Sequence, residues 1–354
     1  MIEAERALAF EGPPCRPAKS TVGMGMTRRA AEAMVVILSL TVAAASGGAK
    51  EQAVERWKAV EVAAAANEAD EALLGRPLSL ALDAECLYVA DAQDCAVKVF
   101  SKDGRFLRAF GRKGRGPGEL TFPSGVSVVG GRVYVADKLN YRIQIFDGEG
   151  KPRGGYPVPF APDKVFAMGA ETLLITGNPT GRRAGEMLLH IYGDAGRLRW
   201  EGLEARSSSD PMYDTFRNMI LVCPGEEKDF YVVFRSGDRT ILRFAGTGVL
   251  RGKTPVDERH AFRPLDMPFK GPKKRLLGFC WAAARDRGLF YLSAPEPVDG
   301  KDLGPGRRLS VIDKDGRLQA VVELPCPVHR FVVEEDRVFA IDDEGGLRIF
   351  EIVR

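Results

Sequence analysis

Residues 87–120 read LYVADAQDCAVKVFSKDGRFLRAFGRKGRGPGEL, and residues 133–156 repeat the message as VYVADKLNYRIQIFDGEGKPRGGY. Each stretch is a short apolar strand ending in Asp, a loop, a second strand and a glycine turn. The first strand recurs as LYVAD (87–91), VYVAD (133–137), LLITG (173–177), FYVVF (230–234), FYLSA (290–294) and VFAID (338–342). A partner strand follows each time: AVKVF, RIQIF, LLHIY, ILRF, LSVID and LRIFEI. After five of these comes a Gly-containing turn into a further strand, as in SKDGRFLRAF and DKDGRLQAVVEL. An apolar segment also precedes each first strand: LSLAL, GVSVV, KVFAM, MILVC, LGFCW (277–281) and HRFVV. The unit is therefore four strands, a to d, repeated six times.

Alternation such as Ile143 and Ile145 against Arg142 and Gln144 is the period-two signature of a strand. The DG and GEG pairs supply the positive backbone angles of tight turns. One four-stranded sheet cannot bury both faces, whereas a ring of them can. The fold class expected is all-β, a six-bladed β-propeller. The sixth unit stops after its third strand, so its missing fourth is expected from RWKAVEV (56–62), which removes the open edges. VEVAAAANEADEALL (60–74) is the one stretch with helical character.

The loop and strands of GRKGRGPGELTFPSGVSVVGGRVYVADKLNYRIQIFDGEG (111–150) resemble the NHL repeat. That resemblance implies a six-bladed propeller with recognition at one mouth of the central channel, and no single activity.

From Met26, MTRRAAEAMVVILSLTVAAASGG has the charged start, short apolar middle and small-residue exit of a secretory signal. Residues 1–25 read as an upstream segment ahead of a true start at Met24 or Met26, 26–45 as the signal and 46–354 as one propeller. The protein is expected outside the cytoplasm, periplasmic or extracellular, with no integral membrane segment once the signal is removed. Five cysteines follow the signal, Cys86, Cys95, Cys223, Cys280 and Cys326; their odd number leaves at least one thiol free, and their spacing fits no zinc pattern. Small buried hydrophobes is the role expected for most of them. Of 51 basic and 48 acidic residues, five and four lie before Ser46, which leaves 46 against 44. So small an excess gives no pull toward nucleic acid.

The b–c and d–a loops share one face with the channel entrance. Candidate ligand-binding residues there are Lys138, Arg142, Lys164, Arg182, Arg217, Asn218, Arg235, Arg239 and Arg330. Asp91, Asp137 and Arg142 also suit a structural role, carboxylates accepting turn N–H groups and an arginine tying loops. His329 is a candidate general base, whereas His190 falls inside a strand and His260 in a basic insertion. Asp163, Asn218 and Asp342 are candidate ligands for a divalent cation, the only cofactor contemplated. The glycines of GRKGRGPGEL lack the helix a phosphate cradle needs. The leading functional expectation is a monomeric, non-catalytic recognition module for a protein, peptide or glycan. The alternative is a metal-dependent lyase- or lactonase-like propeller.

Overall fold

The computed structural model describes residues 54–64, 72–169, 172–177, 185–193, 195–260, 263–266, 275–298 and 302–354. The segments read above as an upstream stretch and export signal lie outside these, as does Arg182. Strand β1 (Glu55–Ala64) precedes the blades. Blade 1 is β2 (Pro77–Leu82), β3 (Cys86–Asp91), β4 (Ala96–Ser101) and β5 (Phe106–Phe110). Blade 2 is β6 (Pro123–Val129), β7 (Arg132–Asp137), β8 (Arg142–Asp147) and β9 (Pro152–Pro157). Blade 3 is β10 (Pro162–Ala167), β11 (Thr172–Gly177), β12 (Met187–Gly193) and β13 (Leu198–Glu204). A short helix, α1 (Pro211–Arg217), leads into blade 4: β14 (Ile220–Pro224), β15 (Phe230–Phe234), β16 (Thr240–Phe244) and β17 (Leu250–Pro255).

A hairpin of β18 (Arg263–Asp266) and β19 (Arg275–Gly278) intervenes. Blade 5 is then β20 (Ala282–Asp286) and β21 (Leu289–Ser293), a second hairpin of β22 (Glu296–Val298) and β23 (Asp302–Gly304), then β24 (Arg308–Ile312) and β25 (Leu318–Glu323). Blade 6 is β26 (Val328–Glu334), β27 (Arg337–Asp342) and β28 (Leu347–Val353), completed by β1.

Two expectations change. The innermost strand of blade 5 is AAARD (282–286), not LGFCW (277–281). A two-residue turn, Arg287 and Gly288 with φ of 44° and 81°, folds AAARD directly onto β21. Phe279 and Cys280 instead give their N–H groups to the carbonyl of Arg235. The helical reading of 60–74 fails at its start, since residues 60–64 extend β1.

Hydrophobic clusters fill all six blade interfaces, which accounts for the near-continuous apolar runs. Strand b has both faces covered, so neighbours along it serve different cores. Tyr88 and Ala90 pack toward blade 2, whereas Leu87 and Val89 pack against Phe339 and Ile341 of blade 6. Tyr134 and Ala136 pack toward blade 3 and Val133 and Val135 toward blade 1. Blades 3 and 4 share Leu174, Phe230 and Phe234; blades 4 and 5 share Val233, Phe290 and Leu292; blades 5 and 6 share Tyr291, Val311 and Phe350. The contact of blade 6 with blade 1 closes the ring.

The closing strand does more than the repeat count required. Lys58–Ala64 of β1 pair antiparallel with Arg348–Val353, completing blade 6. Glu55–Lys58 pair parallel with Ala320–Glu323 of blade 5. Blades 5 and 6 therefore form one eight-stranded sheet with β1 at its centre.

Candidate functional site

The first residue of each innermost strand pairs with the end of its second strand: Pro77 with Asp91, Pro123 with Asp137, Pro162 with Gly177, Ile220 with Phe234, Ala282 with Ser293 and Val328 with Asp342. These ends define one mouth of the channel. In blades 1, 2, 3 and 6 the register slips there, between Pro77 and Ser79, Pro123 and Gly125, Pro162 and Lys164, and Val328 and Arg330. One residue is left over in each: Leu78, Ser124, Asp163 and His329. A β-bulge re-aims side chains and withdraws backbone groups from the ladder.

The freed backbone groups have takers. The ammonium of Lys164 donates to the carbonyl of Leu78 (2.9 Å) and to that of Ser124. Arg330 Nε donates to the same Leu78 oxygen at 2.6 Å. Cations from blades 3 and 6 thus converge on a carbonyl of blade 1. Lys138, just past β7, donates to the Asp163 carboxylate at 3.0 Å. Arg235, just past β15, lies 4.7 Å over the Trp281 ring and reaches the Met219 sulfur at 3.8 Å. The His329 ring stands 5.9 Å from Trp281.

Burial and the neighbouring cations govern the charges here. Burial, with Arg330, Lys138 and Arg235 acting against Asp163, pushes the Lys164 ammonium down to about 8. Burial disfavours the Asp163 carboxylate, but Lys164, Lys138 and Arg330 outweigh it and hold its carboxyl below the usual range. Burial and then Arg330 lower His329, which keeps its imidazole neutral at pH 7. Carbonyl oxygens accept from the Lys164 ammonium and from Arg330 Nε without cancelling either charge. Such a cluster attracts anions.

The structure brings together Lys138, Asp163, Lys164, Arg235, His329 and Arg330. The other candidates are engaged elsewhere. Arg142 bonds Asp137 at 2.9 Å and the carbonyls of Arg115, Gly116 and Glu119, which ties two loops together. Arg217 pairs with Asp214 at 3.0 Å within α1. Asn218, the C-cap of that helix, spends its amide on the N–H and carbonyl of Arg206, both at 2.8 Å. Arg239 lies by Glu258 at 3.3 Å. Asp342 accepts from the N–H groups of Glu344 and Gly346 and from Arg348. Asp163, Asn218 and Asp342 therefore have separate partners and do not assemble a cation cage; among the described residues no group of three or more His, Cys, Asp or Glu is placed to hold a metal. His190 is buried against Phe160 at 3.9 Å, and His260 is buried with Nε2 2.9 Å from the Phe279 carbonyl. The five cysteines of the described residues are free thiols, three of them buried.

Sequence reasoning missed Trp281, the Leu78 and Ser124 carbonyls and the bulges. Trp281 was hidden inside a segment read as a strand. A bulge leaves no mark in a pattern of apolar and polar residues.

A family model described as a 6-bladed beta-propeller (DUF5128) matches residues 68–147. No curated protein matches the chain in sequence. Among solved structures, the chain is similar to a protein of Bacteroides fragilis assigned as exported, with 13% identity and a TM-score of 0.56 over 84% of this chain and 94% of that one. A DUF4221 family member from Bacteroides vulgatus gives 11% identity and a TM-score of 0.57 over 85% and 97%. The WD40 propeller domain of Doa1 gives 12% and 0.50 over 83% and 97%. Identities this low speak to the propeller fold. The matched family is not the NHL repeat, so that finer resemblance stays an expectation. No helix among the described residues is long and apolar enough to cross a membrane.

Proposed function

We propose that this protein is an exported recognition propeller, a non-catalytic module of the cell envelope that takes an acidic part of a protein, peptide or glycan at its channel mouth. The observation that carries the reading is the meeting of Lys164 and Arg330 on the Leu78 carbonyl, with Lys138 and Arg235 beside them and Asp163 as their carboxylate neighbour. Cations gathered this way gain little for the fold, because each is desolvated and repels the next. Their field is available to a ligand. The signal-like segment at 26–45 and the likeness to a protein assigned as exported support the location.

The test is capture from an envelope extract by the immobilised protein and by a Lys138→Glu/Lys164→Gln variant. Wild-type capture should fall as salt rises and be reversed by added polyglutamate, as charge-driven binding requires. The variant should keep its far-UV spectrum and lose the captured material. Undiminished capture by a folded variant would reject this mouth as the recognition face.

A further inference from the structure

Arg235 and Arg330 differ in what holds them from the cations that the blades pair with aspartates. Lys98 sits 3.5 Å from Asp91, and Arg142, Arg243 and Arg348 are all within 2.9 Å of an aspartate. Arg235 is held by the face of Trp281 and the thioether of Met219. Arg330 spends its Nε on the Leu78 carbonyl. Neither guanidinium has a salt-bridged carboxylate among the described residues. Stacking fixes the plane of a guanidinium while leaving its N–H edge for a ligand. The two repel each other, and each feels Asp163 through space.

We propose that Arg235 and Arg330 form a clamp for a small, multiply charged oxyanion, carboxylate- or phosphate-borne, which enters the channel mouth between them. The inference rests on the reading of that mouth as the recognition face and names the chemistry that reaches its floor. The valence follows from the charges: Lys138, Lys164, Arg235 and Arg330 carry four positive charges and Asp163 one negative, which leaves three. Guanidinium forks match the paired oxygens of carboxylates and phosphates. Trp281 is the positioning residue that keeps one fork aimed.

Titration calorimetry with citrate and, separately, inorganic phosphate tests the clamp and tells the two sources apart. At least one anion should bind, and Arg235→Gln or Arg330→Gln should each weaken it tenfold or more. Arg153→Gln, on the outer strand β9, should leave affinity unchanged. Trp281→Leu should weaken binding while Arg235 remains. A second readout needs no variant. An anion restores to Lys164 the proton it has partly lost at pH 8, because Arg330, Lys138 and Arg235 then oppose that charge less. Only Asp163 among the charged groups facing the ammonium favours its proton, and β2 and β6 offer it carbonyls. Citrate is fully ionised at pH 8, so its binding there should take up as much as about half a proton, seen as an enthalpy that changes with the buffer's ionisation heat. Absence of heat with both anions overturns the clamp, as does equal affinity in the folded glutamine variants. If those variants bind normally while the Lys138→Glu/Lys164→Gln protein fails to capture envelope material, the clamp falls and the recognition face stands.

Discussion

Asp137 is buried and accepts hydrogen bonds from the Thr121 N–H (2.7 Å), the Asn140 side chain (2.7 Å) and Arg142 Nε (2.9 Å). Asp91 does the same work in blade 1 with the N–H groups of Gly75, Arg76 and Gln93, and Asp342 in blade 6 with Glu344 and Gly346. Asp137→Ala strands those donors and leaves Arg142 unpaired, so it should cost about 3–5 kcal/mol, read as a lower denaturant midpoint. A loss under 1 kcal/mol would show that water replaces the carboxylate freely. Lys164 gives a prediction whose sign is fixed by its proton. Its ammonium is held to about 8 in the fold against 10.5 in the unfolded chain. Between those values the unfolded chain binds more protons, so raising the pH stabilises the fold. Below about pH 8 the burial of the charge is fully felt. Relative to Lys164→Met, the wild type should gain up to roughly 3 kcal/mol between pH 7 and pH 10.5. Parallel pH profiles for the two proteins would refute this. His260 runs the same way at acid pH. Burial depresses its imidazole to about 4, so the stability it contributes is complete above pH 6.5 and is lost as pH falls toward 4. His260→Phe should flatten the acid limb of the stability curve in that window, and an unchanged limb would contradict the assignment.

The innermost strands approach one another closely, and Gly125 is where β6 meets β10. A Cβ at residue 125 would stand 2.8 Å from Lys164 Cα and 3.0 Å from Val165 N, backbone atoms that cannot swing aside. Serines bridge such seams: Ser127 accepts from Ala167 N–H at 2.9 Å between β6 and β10, and Ser79 from Val126 N–H at 3.2 Å between β2 and β6. Gly125→Ala should force the strands apart, cost about 1–3 kcal/mol and disturb the mouth through Lys164. The check is a melting curve alongside citrate titration, and an unchanged protein would mean the seam is looser than it stands here. Most elements were legible because each blade spells its strands between Gly, Asp and Pro, and strand b is apolar on both faces. AAARD was not legible, since alanines carry no strand preference and the aromatic LGFCW beside them does. The mouth was half legible. Lys138, Asp163, Lys164, Arg235, His329 and Arg330 follow from the starts of strand a and the ends of strand b. Arg217 and Asn218 were drawn toward it by position alone, until α1 and its N-cap Asp210 absorbed them into a helix. The bulges that aim Asp163 and expose the Leu78 carbonyl lie beyond any periodicity argument, because register belongs to a pair of strands.

Closure of the ring depends on a strand that serves two blades, and its two halves make separable contributions. Residues 59–64 of β1 cap β28, whose open edge would otherwise present unpaired N–H and carbonyl groups. Residues 55–58 add the parallel pairing to β25, and Trp57 packs with Ala59 in the core between blades 5 and 6. A chain beginning at residue 59 keeps the cap of blade 6 and loses the strap to blade 5 along with Trp57. It should still unfold in one transition, at a lower denaturant midpoint that corresponds to a loss of about 3–5 kcal/mol for the missing indole. A chain beginning at residue 65 exposes the edges of both β25 and β28. It should lose its single transition and scatter light at micromolar concentration as the two edges pair between molecules. Adding back a synthetic peptide of residues 54–64 should suppress that scatter, since the groove between β25 and β28 accepts one strand in two directions of pairing. If the chain starting at 65 stays monomeric and cooperative, the ring is held by its six apolar interfaces alone, and β1 is a dispensable lining of blades already closed.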